Sequence, residues 1–199
     1  MKRGIIAVIL ILVLFPIVSA VEFKMKTEFK QGETLLAEIS GNFQDPILKE
    51  NIFFYKRHVR IPMEYEIAKL GGKYYIYAQL LGKNPNNYSI AVENVKYLKG
   101  AEITEEPIIK NFTITNETAD FSVEPGFVTT AQGFFIEVQN LQDYEITINA
   151  KTLGESSAGF FDFIFGSEET DEGSVNLMSG EIKKINFEFE NITKSALKR

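Results

Sequence analysis

From residue 21 onward the chain alternates apolar and polar side chains with a period of two, and no other feature constrains its fold as strongly. Val21, Phe23, Met25, Thr27 and Phe29 fall on one face of an extended segment, with Glu22, Lys24, Lys26 and Glu28 on the other. Successive side chains of a strand point to opposite faces, so this pattern marks a strand with one face buried. The pattern returns at Leu35, Ala37 and Ile39, at Met63, Tyr65 and Ile67, at Tyr74, Ile76, Ala78 and Leu80, and at Tyr88, Ile90 and Val92. Gln31-Gly32, Gln44-Asp45-Pro46, Gly71-Gly72 and residues 82–87 supply the backbone positions that reversals between strands need. No stretch after residue 20 sustains a helical period, so helices are expected to be absent or limited to single turns.

Residues 99–107 lose the alternation and carry Gly100, Glu102, Glu105, Glu106 and Pro107, which places a domain joint near residue 107. Beyond it the period restarts at Phe112 and Ile114, runs through Phe121 and Val123, and meets a turn at Pro125-Gly126. Phe134, Ile136 and Val138, followed across residues 140–143 by Tyr144, Ile146 and Ile148, read as a hairpin. An apolar run at 160–165, a short strand at Val175 and Leu177, a Ser179-Gly180 turn and a last strand at Ile185 and Phe187 complete the series. About seven short strands in each half predict an all-β protein of two tandem immunoglobulin-like antiparallel β-sandwich domains, residues 21–107 and 108–192, with a polar tail at 193–199.

The first twenty residues differ from the rest. Lys2 and Arg3 precede an apolar run of about 14 residues that contains Pro16 and ends in Val18-Ser19-Ala20, the arrangement of a secretory signal peptide. A membrane-spanning helix needs about 20 apolar residues and tolerates proline poorly, so cleavage after Ala20 is expected rather than an uncleaved N-terminal anchor. Either outcome puts the remainder outside the cytoplasm, with the membrane touched only through residues 1–20. Loss of Lys2 and Arg3 leaves 19 basic against 27 acidic residues, a net charge of −8. That balance argues against nucleic acid as a partner, because phosphate binding needs clustered cations. With no cysteine the chain has neither a disulfide framework nor a thiol nucleophile.

Few residues suggest chemistry. His58 is the single histidine and sits among Lys56, Arg57 and Arg60, which reads as a solvated strand end; its alternative role is contact with an anionic surface. One histidine and no cysteine exclude the usual zinc, copper and iron sites, and no cofactor is expected. Calcium alone stays open, at Glu168, Glu169, Asp171 and Glu172 in a loop bounded by Gly166 and Gly173, although the spacing does not match an EF-hand. Asp162 interrupts the aromatic run at 160–165, where burial would require a partner. Tyr75 and Tyr77 share the face opposite Tyr74 and are expected to form an exposed pair able to stack on a sugar or anchor an interface. Asn87, Asn111, Asn116 and Asn191 each begin an Asn-X-Ser/Thr sequon, an N-glycosylation acceptor wherever the host supplies that pathway.

Residues 72–78, reading GKYYIYA, together with residues 134–141, reading FFIEVQNL, and residues 175–187 resemble the immunoglobulin-like and fibronectin type III-like modules of archaeal and bacterial cell-surface proteins. The cysteine and tryptophan pins of antibody domains are missing. The resemblance implies an exported, non-enzymatic structural or adhesive module whose partners are envelope proteins or surface glycans. Two alternatives accompany it: a glycan-binding module using Tyr75 and Tyr77, and a secreted hydrolase, most naturally a glycoside hydrolase, working through paired carboxylates.

Overall fold

The computed structural model describes residues 21–130, 133–149 and 174–187. The N-terminal segment 1–20, Asp162, the acidic loop at 168–172, Asn191 and the tail at 193–199 lie outside the described residues. Those described are all-β, in antiparallel sheets compatible with a β-sandwich. Among them no helix is long and apolar enough to cross a membrane. The chain divides into two compact units, one made of Met1–Phe29, Leu35–Ala78 and Asn86–Ile114, the other of Lys30–Thr34, Gln79–Pro85 and Thr115–Arg199.

Two main sheets supply most of the first unit, and the ends of β2, β3, β7 and β11 belong to the second. Strands β1 (Glu22–Met25), β3 (Thr34–Ser40), β7 (Lys73–Gln79) and β6 (Tyr65–Leu70) form one, in the order β1-β3-β7-β6. Strands β2 (Glu28–Gln31), β11 (Ile108–Thr118), β8 (Asn86–Val92), β4 (Ile52–Lys56) and β5 (Val59–Ile61) form the other, in the order β2-β11-β8-β4-β5. The continuous alternation from Val21 to Phe29 is therefore split at Lys26-Thr27, with β1 in one sheet and β2 in the other. Residues 99–107 are not a bare linker, because β9 (Tyr97–Lys99) and β10 (Glu102–Thr104) pair as a hairpin around Gly100, whose φ is +72°.

Alternation places the large apolar side chains of these strands inward, and parts of β3, β7 and β8 are buried on both faces. Leu35, Ala37 and Ile39 of β3, Tyr74, Ile76 and Ala78 of β7, Ile52 and Phe54 of β4, Tyr88, Ile90 and Val92 of β8 and Phe112 of β11 are all buried. Phe54 lies against Tyr65 with ring centroids 5.4 Å apart, a contact that links the two sheets. Tyr88 stacks on Phe112 at 5.6 Å, and Phe29 meets Phe112 edge-on at the same distance. Each fully buried aliphatic or aromatic side chain contributes about 1.5–3 kcal/mol of transfer free energy.

The second unit contains β12 (Phe121–Glu124), β13 (Phe134–Asn140) and β16 (Ile182–Phe187) in one sheet, and β14 (Ile146–Asn149) with β15 (Ser174–Leu177) in another. The hairpin expected across residues 140–143 is not formed: β13 pairs with β12 and β16, whereas β14 pairs with β15. The cause is Asn140, whose side chain is 0% exposed. Its Nδ2 donates to the carbonyls of Tyr144 at 2.7 Å, Leu177 at 3.1 Å and Met178 at 3.0 Å, and its Oδ1 accepts from the Gln142 backbone N–H at 2.8 Å. These bonds turn the chain out of the β13 sheet and tie the turn to the end of β15. Beside it, Thr34 Oγ1 and Gln79 Nε2 donate to the Val123 carbonyl at 2.8 and 2.7 Å, fixing β12. Gly32 is required twice over in this unit: its φ is +83°, and a Cβ there would lie 2.4 Å from Leu141 Cδ1.

Replacing a buried amide by an apolar group strands the backbone groups that it served, at about 1–3 kcal/mol for each. Asn140→Leu is expected to lower the unfolding free energy by on the order of 3 kcal/mol, read from the urea midpoint. Gln139→Ala, one residue away on the other face, is expected to change it much less.

Candidate functional site

An exposed group of basic side chains lies at the tip of the β4–β5 hairpin. β4 and β5 pair Phe54 with Ile61, Tyr55 with Arg60 and Lys56 with Val59, leaving Arg57 and His58 as the two-residue connection. Arg57 adopts a φ of +57°, a left-handed conformation uncommon for a residue with a Cβ, and its backbone N–H donates to the Asn87 carbonyl at 3.3 Å. Period two puts Ile52 and Phe54 in the core and turns Phe53 and Tyr55 outward, half-buried.

The three cations around His58 do not act alike. The Arg60 guanidinium lies over the Phe53 ring, 3.6 Å from its centroid, and its Nη2 donates to Tyr55 Oη and to Glu93 Oε2, each at 3.2 Å. The Tyr55 hydroxyl donates to the other oxygen of the same carboxylate, Glu93 Oε1. A planar guanidinium suits this combination of stacking and forked hydrogen bonding, and a lysine would not reproduce it. Asn51 holds Glu93 in place: its backbone carbonyl accepts from the Glu93 N–H at 2.9 Å, and its Nδ2 donates to the Glu93 carbonyl at 3.0 Å. The Lys56 ammonium sits 6.0 Å from the Tyr88 ring. Arg57 and His58 project outward at the tip, next to Val59, which is 68% exposed. The tip thus presents positive charge beside an exposed apolar side chain.

The tyrosine pair expected at the outer face of β7 is not exposed as a pair. Tyr77 is 8% exposed, which removes it from contact with solvent, and Tyr75 is half-buried. Tyr75 belongs to a cluster around Glu38, a carboxylate that is only 3% exposed. Glu38 accepts from Lys73 Nζ at 2.8 Å and faces Lys24 across the β1–β3 ladder. Burial pushes the Tyr75 phenol above its ordinary value, and the charge of Glu38 adds to the shift. The hydrogen bond to Glu38, followed by its charge, holds the Lys73 ammonium above the ordinary lysine value of 10.5. Sequence reading missed Glu38 because a glutamate between Ala37 and Ile39 looks like an ordinary outward residue of a half-buried strand.

A shallow recess of about 210 Å³ lies among Gly41, Phe43, Asp45, Lys69, Gly72 and Tyr74, with the Lys69 ammonium 5.2 Å from the Tyr74 ring. Among the described residues no three His, Cys, Asp or Glu side chains come close enough together to hold a metal ion. The calcium loop and Asp162 lie outside those residues. Asn87 and Asn111 are exposed on β8 and β11, and Asn116 is exposed further along β11. No protein-family model and no curated protein matches the chain.

Lys73→Met leaves the buried Glu38 carboxylate without its ion-pair partner, so it is expected to destabilise the fold more than Lys73→Met combined with Glu38→Gln. Urea unfolding of the four members of that double-mutant cycle measures the coupling. The folded-state pKa of Lys73 is raised, so the pair's contribution is complete below the ordinary lysine value and is lost as pH rises through the raised one. The coupling is therefore expected to stay constant between about pH 7 and 9 and to fade only in stronger alkali.

Proposed function

We propose that this chain is an exported, non-catalytic module of a cell envelope, built as tandem immunoglobulin-like sandwiches, that adheres to an anionic envelope protein or acidic surface glycan through the β4–β5 tip. The observation that carries this reading is the division of labour among the charges. The chain is acidic overall, with a formal net charge of −6. Its buried or half-buried carboxylates are matched locally, Glu38 by Lys73 and Glu93 by Arg60. Arg57 and His58 stand at the tip beside an exposed valine. Cations concentrated on one feature of an acidic protein favour an oppositely charged partner and repel wrong ones. The signal-like segment at residues 1–20 and the resemblance to surface modules support the location.

The test is binding of the full chain to an envelope preparation from the cells that make it, across a salt series. Charge attraction at an exposed site weakens as the screening length falls to about 8 Å at physiological ionic strength and below. Binding is expected to decline with salt and to drop at least tenfold in Arg57→Glu combined with His58→Glu. Binding indifferent to both salt and charge reversal rejects the tip as the contact.

A further inference from the structure

Two of the sequons, 24 residues apart in sequence, become one feature in the fold. Strands β8 and β11 are antiparallel neighbours at the centre of the five-stranded sheet, with Asn87 opposite Thr113 and Asn111 opposite Ser89. The acceptor asparagine of each sequon therefore stands beside the hydroxyl residue of the other. Tyr88 and Phe112, the middle residues of the two sequons, face inward and stack in the core, so all four sequon ends point outward. Thr113 Oγ1 donates to Asn87 Oδ1 at 3.0 Å, Asn87 and Asn111 are exposed, and Ser89 is buried between its neighbours.

We infer that this face carries an N-linked oligosaccharide on Asn87 or on Asn111, but not on both in the same molecule. The inference rests on the reading that the chain is exported. The transfer forms a bond from the asparagine Nδ2 to the anomeric carbon of a sugar and breaks the bond from that carbon to the phosphate of a lipid-linked oligosaccharide donor. The lipid phosphate leaves with the bonding electrons, and the amide proton passes to solvent. Because Ser89 is buried in the closed sheet, its sequon must be read before β8 and β11 pair.

Folding then limits the number of sugars. Side chains on one face of a sheet stand roughly perpendicular to it, and diagonal cross-strand neighbours are about 7–8 Å apart. Two branched oligosaccharides anchored so closely on Asn87 and Asn111 compete for the same volume above the sheet, whereas a single one has no such neighbour. A chain modified at both positions could not close this ladder without a clash, so the doubly modified form is removed as a folding failure.

The experiment uses full-length chain with Asn116→Gln and Asn191→Gln, produced in its own cells, fractionated, and examined by intact mass and glycopeptide mass spectrometry. The expected result is exported protein carrying one oligosaccharide, divided between Asn87 and Asn111. Adding Asn111→Gln is expected to bring Asn87 close to full occupancy. Folded molecules bearing sugar on both asparagines overturn the inference, and so does exported protein bearing none. Protein retaining Met1 in the cytoplasm and bearing none overturns the export reading along with it.

Discussion

The register of three strands, β4, β8 and β11, governs everything that this protein presents on the outer face of its larger sheet. Phe54 opposite Ile90, and Tyr88 opposite Phe112, fill the core; one residue along, Tyr55 opposite Ser89, and Ser89 opposite Asn111, face out. The side-chain period of a strand is two, so a slip of one residue would drive Tyr55, Ser89 and Asn111 inward and expose the aromatic core. The cost of that exchange, several buried aromatic and aliphatic side chains at about 1.5–3 kcal/mol each, far exceeds what any surface contact could repay. Core burial thus sets the positions of the Arg60 stack, the hairpin tip and the paired sequons.

Where function and stability meet, the charges follow the same logic. Glu93 is half-buried and receives a guanidinium, a phenol and the support of Asn51. Glu38 is more deeply buried and receives an ammonium, with a second lysine across the ladder. A carboxylate left alone in either place would be costly, and these pairings offset that cost. Arg57 and His58 are exposed, and Arg57 holds a left-handed backbone conformation at the tip. Non-glycine residues in that region cost about 1–2 kcal/mol, and at Arg57 the conformation is the one that a two-residue hairpin connection between twisted strands calls for.

Much of the fold could be read from the period alone, because alternation reports which side chains share a face. It located β3, β6, β7 and β8 and placed Tyr74 and Tyr88 in the core. It could not report which sheet a strand joins. The break at Lys26-Thr27 carries no glycine or proline, and the inward residues on both sides keep the same phase, so β1 and β2 read as one strand. The turn at 140–143 looked like a hairpin because the decisive group is a polar side chain, Asn140, buried against carbonyls more than 35 residues away. Tyr77 shows the same limit: period assigns its face correctly but says nothing of what lies over that face. The Arg60 clamp was equally hidden, since Glu93 is 33 residues away in sequence and comes beside Arg60 only through the pairing of β4 with β5 and β8.

The absence of native cysteine allows the register to be tested directly. Residues directly opposite each other on one face lie within the Cα separation of about 4.4–6.8 Å that a disulfide spans, while adjacent residues of a strand point to opposite faces. Ser89→Cys with Asn111→Cys is predicted to form an intramolecular disulfide rapidly on mild oxidation of the folded protein, and Ser89→Cys with Lys110→Cys is predicted not to. Efficient closure of the second pair and failure of the first would contradict the register, and with it the outer face on which the proposed contact and glycan sites stand.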